Sequence, residues 1–161
     1  MKGTRILVKC LIIIWLCLVW VTLSPWPAVL ACPYQLPTAL LSINGQKLLV
    51  EIAHTPDTRS CGLSNRNTLE KNTGMLFLFP DTRQRTFWMK DTSIPLSIAF
   101  MDQDGRIIQI HQMQANQVTT TYPSFQPARY ALEVNQGWFK LHGVTPGDSV
   151  VMDLPGILKI Q

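Results

Sequence analysis

The sequence predicts an α+β fold dominated by strands: a β-rich single domain on a curved antiparallel or mixed sheet, or a small barrel, with two short helices. Three observations predict it. Turn signals recur at short intervals along residues 38–161, and the segments between them read mostly as strands. Two of the turns, Asn44-Gly45 and Asp104-Gly105, separate aliphatic runs in the manner of hairpins, because these dipeptides accept the positive φ angles of tight turns. The run Met75-Leu76-Phe77-Leu78-Phe79 has no polar alternation, as expected of a strand buried on both faces.

The elements follow in order. Residues 1–31 read as an export signal. Lys2, Arg5 and Lys9 form a positive start, Cys10 to Leu23 is uncharged and apolar, Ser24-Pro25-Trp26-Pro27 breaks any helix, and Val29-Leu30-Ala31 offers a cleavage site. Residues 32–37 form a short tether with two prolines, and 38–161 a single domain. Ala39 to Ile43 and Lys47 to Ala53 form the first hairpin. Thr55 is an N-cap with Pro56 at the first helical position, starting a helix that ends near Cys61-Gly62. Met75 to Phe79 is the buried strand, with Thr86 to Lys90 expected beside it. Ser97 to Met101 and Arg106 to Met113 form the second hairpin, with Ile98 and Phe100 on one face and Ile108 and Ile110 on one face opposite. Ala128 to Val134 alternates Tyr130, Leu132 and Val134 inward with Ala131 and Glu133 outward. Gln136 to His142 reads as a helical turn or two stopped by Gly143, and Ser149 to Leu154 as the last strand.

Charge and cysteine use depend on the leader. The chain has 14 basic and 10 acidic residues. Loss of residues 1–31 removes three basic residues and no acidic one, leaving 11 against 10 on 130 residues, enough for one domain with a core. The basic balance is therefore no sign of nucleic-acid binding, which needs a basic patch on the folded domain. Cys32 and Cys61 remain after cleavage, and an oxidising compartment allows a disulfide between them. Two competing readings stay open. Val29-Leu30-Ala31-Cys32 also fits a lipobox, with a lipid on Cys32 holding the protein to a membrane. An uncleaved anchor over Ile6 to Leu23 is near the lower length limit for spanning and is interrupted by Lys9. All three place the domain outside the cytoplasm.

Several spaced motifs resemble the family called domain of unknown function 192. They are Thr55-Pro-x-x-Arg59-x-x-Gly62-Leu63-x-x-Arg66, Gly74-Met-Leu-Phe77, Phe79, Trp88-Met-Lys90, Thr92, Ile94-Pro-Leu96, Asp104-Gly105, Tyr122-Pro-Ser124, Leu132-Glu133-Val134, Gly137 and Gly147-Asp148. The resemblance runs from about Leu49 to Leu154 and implies a compact β-rich domain, often exported, with no established biochemical activity. The chain departs from the family pattern at Ser64, where the family usually has Met, at Asp91 in place of Asn, and at Ser97 in place of Asp. Asp91 and Ser97 would compensate one another only if they lay close together.

The residues that stand out chemically are Arg66, Trp88, Lys90, Asp91, Thr92 and Glu133. Of the adjacent Phe87 and Trp88, one should face the core and the other solvent or a pocket. Lys90, Asp91 and Thr92 stand where a strand enters a proline-containing loop, a common place for function, although Asp91 or Thr92 bonding its own backbone would explain them equally well. Arg66 is suited to a salt bridge with a carboxylate such as Glu133, or to an anionic ligand. Burial of Glu133 would raise its pKa and qualify it as an acid or base. His54, His111 and His142 lack metal-ligand spacing, Asp102 and Asp104 fit turn chemistry, and no cofactor motif appears.

The leading expectation is an exported binding or accessory domain with a pocket near Trp88–Thr92, acting on a small ligand or an envelope protein. Membrane contact would come only through the N-terminal signal or a lipid on Cys32. One alternative is an envelope-acting hydrolase with Glu133 or Asp91 as acid/base and Lys90 or Arg66 as electrostatic stabiliser, which requires such a pair within hydrogen-bond reach. Another is a structural interaction module, which requires an exposed apolar patch.

Overall fold

The structure is a computed structural model that describes residues 35–156. The expected signal peptide, and Cys32 with either of its fates, lie outside the described residues. Nine strands and two helices follow in chain order: β1 (Thr38–Ile43), β2 (Gln46–Ala53), α1 (Pro56–Cys61), β3 (Thr73–Arg83), β4 (Thr86–Phe87), β5 (Leu96–Met101), β6 (Ile107–Met113), β7 (Tyr122–Pro123), β8 (Ala128–Asn135), α2 (Trp138–Leu141) and β9 (Val150–Asp153).

Seven strands form one sheet in the order β6-β5-β8-β3-β2-β1-β9, while β4 and β7 pair separately. All neighbours are antiparallel except β2 and β3. That exception has a clear origin, because α1 and the following loop carry the chain back to the start of the sheet. The sheet curls into a half-barrel until the turn before β6 meets the approach to β9. There Ile107 N–H donates to Asp148 O, Gly147 N–H to Ile107 O, and Val150 N–H to Gly105 O.

Period-two alternation sends each strand's side chains into two separate cores. The concave core holds Leu41, Ile43, Leu48, Val50, Ile52, Leu76, Leu78, Leu132 and Val134, plugged by Trp138 and Phe139 of α2. The outer core holds Met75, Phe77, Leu96, Ile98, Phe100 and Ala131, roofed by Leu63, Met89 and Ile94. The uninterrupted apolar run in β3 is thus explained, since each residue from Met75 to Leu78 reaches one core or the other.

Three local expectations are corrected. Thr86 to Lys90 is not a neighbour of β3, whose partners are β2 and β8. Only Thr86 and Phe87 are extended, pairing with β7, and residues beyond them enter a turn. Ile108 and Ile110 do not share a face. A register shift pairs Phe100 with Gln109 but Met101 with Ile107, so Ile108 joins the outer core and Ile110 the concave one. Finally, the outward residues of β8 do not meet solvent, because Ala131 and Glu133 are buried beneath the outer layer.

At α1 the reading from sequence and the structure agree in detail. The Thr55 hydroxyl accepts from Thr58 N–H, and the Thr58 hydroxyl accepts from Thr55 N–H, a reciprocal cap that closes the first turn. Gly74, the second residue of β3, has to be a glycine. A Cβ there would collide with the Glu133 carbonyl oxygen.

Candidate functional site

The candidate residues enter the structure at the end of β4. Phe87 turns inward, edge-on to Phe77 at 4.9 Å and Phe100 at 5.6 Å between ring centroids. Its neighbour Trp88 is 56% exposed. The chain then dips and rises again: Met89 is 1% exposed, Lys90 and Asp91 face solvent, and Thr92 is 5% exposed. The turn is held by Thr92 N–H donating to Met89 O at 3.3 Å and by the Thr92 hydroxyl donating to Lys90 O at 3.1 Å. Asp91 at its apex has φ of 53°, a left-handed conformation that aspartate and asparagine tolerate better than most residues.

Neighbouring segments bind this turn from two sides. Asn65 N–H donates to Asp91 O at 2.7 Å, Asn116 N–H to Thr92 O at 2.8 Å, and the Ser93 hydroxyl to Arg66 O at 2.9 Å. The Ser64 hydroxyl reaches Lys90 O at 3.4 Å. Thr92 therefore serves the turn itself. Trp88 and Lys90 are displayed by it, with the Lys90 ammonium 5.5 Å from the Trp88 ring centroid.

Arg66 lies elsewhere on the same face. Its guanidinium makes two 2.6 Å bonds to both oxygens of Glu51, and this bidentate pairing, more than any other factor, raises its pKa. The expected partnership with Glu133 is not formed. Arg66 and Glu51 line a groove of about 360 Å³ with Thr38, Thr68, Glu70 and Thr73.

Glu133 is 5% exposed, and burial pushes its pKa up to about 8. In register it stands between Met75 of β3 and Ile98 of β5, two side chains with no hydrogen-bond donor. Continued outward, the same cross-strand row runs to Glu51 on one side and His111 on the other. The first is committed to Arg66. The second holds its Nε2 2.9 Å from Pro123 O.

These positions are not assembled into one centre. Among the described residues no hydrogen bond or ion pair joins Glu133 or Asp91 to Lys90 or Arg66, so the pairing that a hydrolase would require is not met. Neither the groove at Arg66 nor a second one at α2 is lined by residues 88–92. The proposed compensation between Asp91 and Ser97 also fails. Ser97 alternates with Leu96 and Ile98 and so points to the concave side, whereas the Asp91 turn belongs to the outer layer. Cys61 is held in a disulfide, and its expected partner Cys32 lies outside the described residues.

Arg85 is not among the residues that the sequence singles out. It is buried, bonds the Asp81 carboxylate at 2.6 Å and the Ala128 carbonyl at 3.3 Å, and lies 3.9 Å from the Phe79 ring centroid. Its sequence signal was present, four residues after an acid and six after an aromatic, but it marks a structural cation.

Residues 39–152 match the family domain of unknown function 192 (DUF192), described as "Uncharacterized ACR". The chain belongs to the DUF192 family. This DUF192 domain resembles a crystal structure from Sinorhizobium meliloti 1021, provisionally described as a transcription regulator. The two are 33% identical with a TM-score of 0.71, over 74% of this chain and 97% of that one. It also resembles a protein of unknown function from Novosphingobium aromaticivorans DSM 12444, 30% identical with a TM-score of 0.68, over 80% of this chain and 98% of that one. No curated protein matches the sequence.

Proposed function

We propose that this DUF192 domain is an exported binding or accessory domain that engages a small ligand or an envelope protein through the Trp88–Ser93 turn. The observation that carries the reading is the exposure of Trp88 on a turn whose neighbours Met89 and Thr92 are buried. A large aromatic held in water by a rigid support loses little conformational freedom on binding, and tryptophan is enriched at binding hot spots. Lys90 adds a cation beside the ring, suited to an anionic or polar group on the bound partner. Export rests on the leader sequence, from the basic start at Lys2 to the cleavage site before Cys32.

A second reading, the interaction module, has its own support. Leu40 and Leu49 are exposed and pair directly across β1 and β2, and exposed Val151 pairs with Ser42 on the same side of β1. These three make an apolar patch on the outer face.

The test is a thermal-shift screen of the protein purified after export, against sugars, nucleotides, organic acids and peptides, beside Trp88→Ala and Lys90→Ala. A ligand at about 100 times its Kd adds about 2.7 kcal/mol of stability. A shift present in the native protein and lost in both variants supports the turn. A shift retained in both, or lost only in Leu49→Ser, moves the binding surface away from it. Cell fractionation tests export, and a chain retained whole in the cytoplasm overturns it.

A further inference from the structure

The sheet does not close along its whole length. From the contact between Ile107 and Gly147, strand β6 and residues 143–147 diverge, and a slot of about 320 Å³ opens between them onto the concave side. Its walls are apolar, made by Ile110 of β6, Phe139 of α2 and Val144. Its polar side chains are Ser97, Gln112, Lys140 and Thr145, the last with its hydroxyl turned to the Asp148 carboxylate at 3.4 Å. Ser97 and Gln112 are cross-strand partners, so their side chains stand side by side at one end.

Their hydrogen-bonding state is uneven. Ser97 is 1% exposed, and its oxygen accepts from Gly137 N–H at 2.9 Å. Among the described residues its hydroxyl proton has no acceptor. A buried donor left unspent costs free energy that an incoming acceptor recovers. Lys140 makes no ion pair among the described residues, where the ion pairs join Arg66 to Glu51 and Arg83 and Arg85 to Asp81. Gln112, exposed at the mouth, adds an amide with no hydrogen-bond partner among the described residues. The slot thus offers apolar walls and three uncommitted donors, one of them cationic. No carboxylate lines it.

We propose that this slot binds a small organic acid, its apolar body against Ile110, Phe139 and Val144 and its carboxylate accepting from Ser97, Gln112 and Lys140. The volume lies at the low end of the range for ligand sites, which limits the body to a short alkyl chain or a single ring. This site is separate from the Trp88 turn, because the slot opens on the concave face and the turn roofs the outer one. The two can fail independently.

The test is a titration of the exported protein with hexanoate, and with hexylamine as a probe of equal apolar body and opposite charge, read by backbone amide NMR shifts. The expected result is saturable movement of the Ile110, Phe139 and Val144 signals with hexanoate. Loss of the cation in Lys140→Gln, an exposed position that leaves the fold intact, should weaken it about tenfold, the value of one charge-assisted hydrogen bond. Hexylamine should bind at least as weakly as hexanoate does to that variant. Trp88→Ala should leave hexanoate binding unchanged. Equal binding of acid and amine overturns the proposal, as does indifference to Lys140→Gln. So do the absence of saturable shifts at millimolar hexanoate and saturable shifts confined to the Trp88 turn.

Discussion

Glu133 lies between Met75 and Ile98 with its carboxylate out of water, and burial raises its pKa from 4.5 to about 8. Between those two values the folded chain keeps a proton that the unfolded chain releases. The stabilising effect is complete below the lower value, declines as pH rises through the window and is gone above the upper one. The other titratable side chains of its row, Glu51 and His111, are two strands away on either side. Glu133→Gln preserves the shape and removes the titration. Its urea midpoint should change little between about pH 5 and pH 8, while the native midpoint falls clearly over the same interval. Parallel curves would mean that the folded carboxylate is already ionised at pH 5. Gly74 makes a second case at this scale. The added methyl of Gly74→Ala meets the Glu133 carbonyl oxygen on the neighbouring strand, where nothing flexible can move aside. It should lower stability by about 3 kcal/mol, the upper part of the range for overpacking, and a urea midpoint equal to that of the native protein would sink this account.

At the scale of elements, the Trp88–Ser93 turn depends on one left-handed residue and one buried hydroxyl. Asp91→Gly and Asp91→Asn should be close to neutral in thermal denaturation, because both residues enter that conformation readily. Asp91→Val should cost about 1–2 kcal/mol through the clash of its branched side chain. If all three behave alike, the apex is not constrained as described. This turn also marks where reading from sequence stopped. The hairpins at Asn44-Gly45 and Asp104-Gly105, the Thr55 cap and the doubly buried run at Met75 were legible because each depends on neighbours in the chain. The bulge that separates Ile108 from Ile110 was not, since it is a register shift between β5 and β6 that the residues of β6 alone do not announce. Nor was the strand-like pattern of Thr86 to Lys90 a guide. Phe87 and Met89 are roofing for the outer core, and the turn beyond them is held by Asn65 and Asn116 from distant segments. The site was legible as a set of residue types but not as a set of distances. Arg66 chose Glu51 over Glu133, a decision made by strand register.

The described residues are organised by the seven-stranded sheet, which has a core on each face, and the two cores share β3, β5 and β8. Neighbouring residues on β3 therefore belong to different cores, Leu76 to the concave one and Phe77 to the outer one. A layer that melted alone would expose the apolar face of the strands the other layer still uses, so the two should unfold together. The protein carries its own reporters for this question. Of its five tryptophans, three precede residue 32, leaving Trp88 in the outer layer and Trp138 in the concave core. In a chain that starts at residue 32, Trp138→Phe leaves fluorescence that reports the outer layer, and Trp88→Phe leaves fluorescence that reports the interior. In each background Leu76→Ala should cost about 2–5 kcal/mol and Phe77→Ala about 3–5 kcal/mol. The midpoint shifts seen by the two reporters should coincide for both mutations. Suppose instead that Phe77→Ala lowered the Trp88 midpoint and left that of Trp138 in place. The turn, Leu63 and Ile94 would then form a unit that opens over a surviving half-barrel, and the Trp88 surface would be available to partners in more than one conformation.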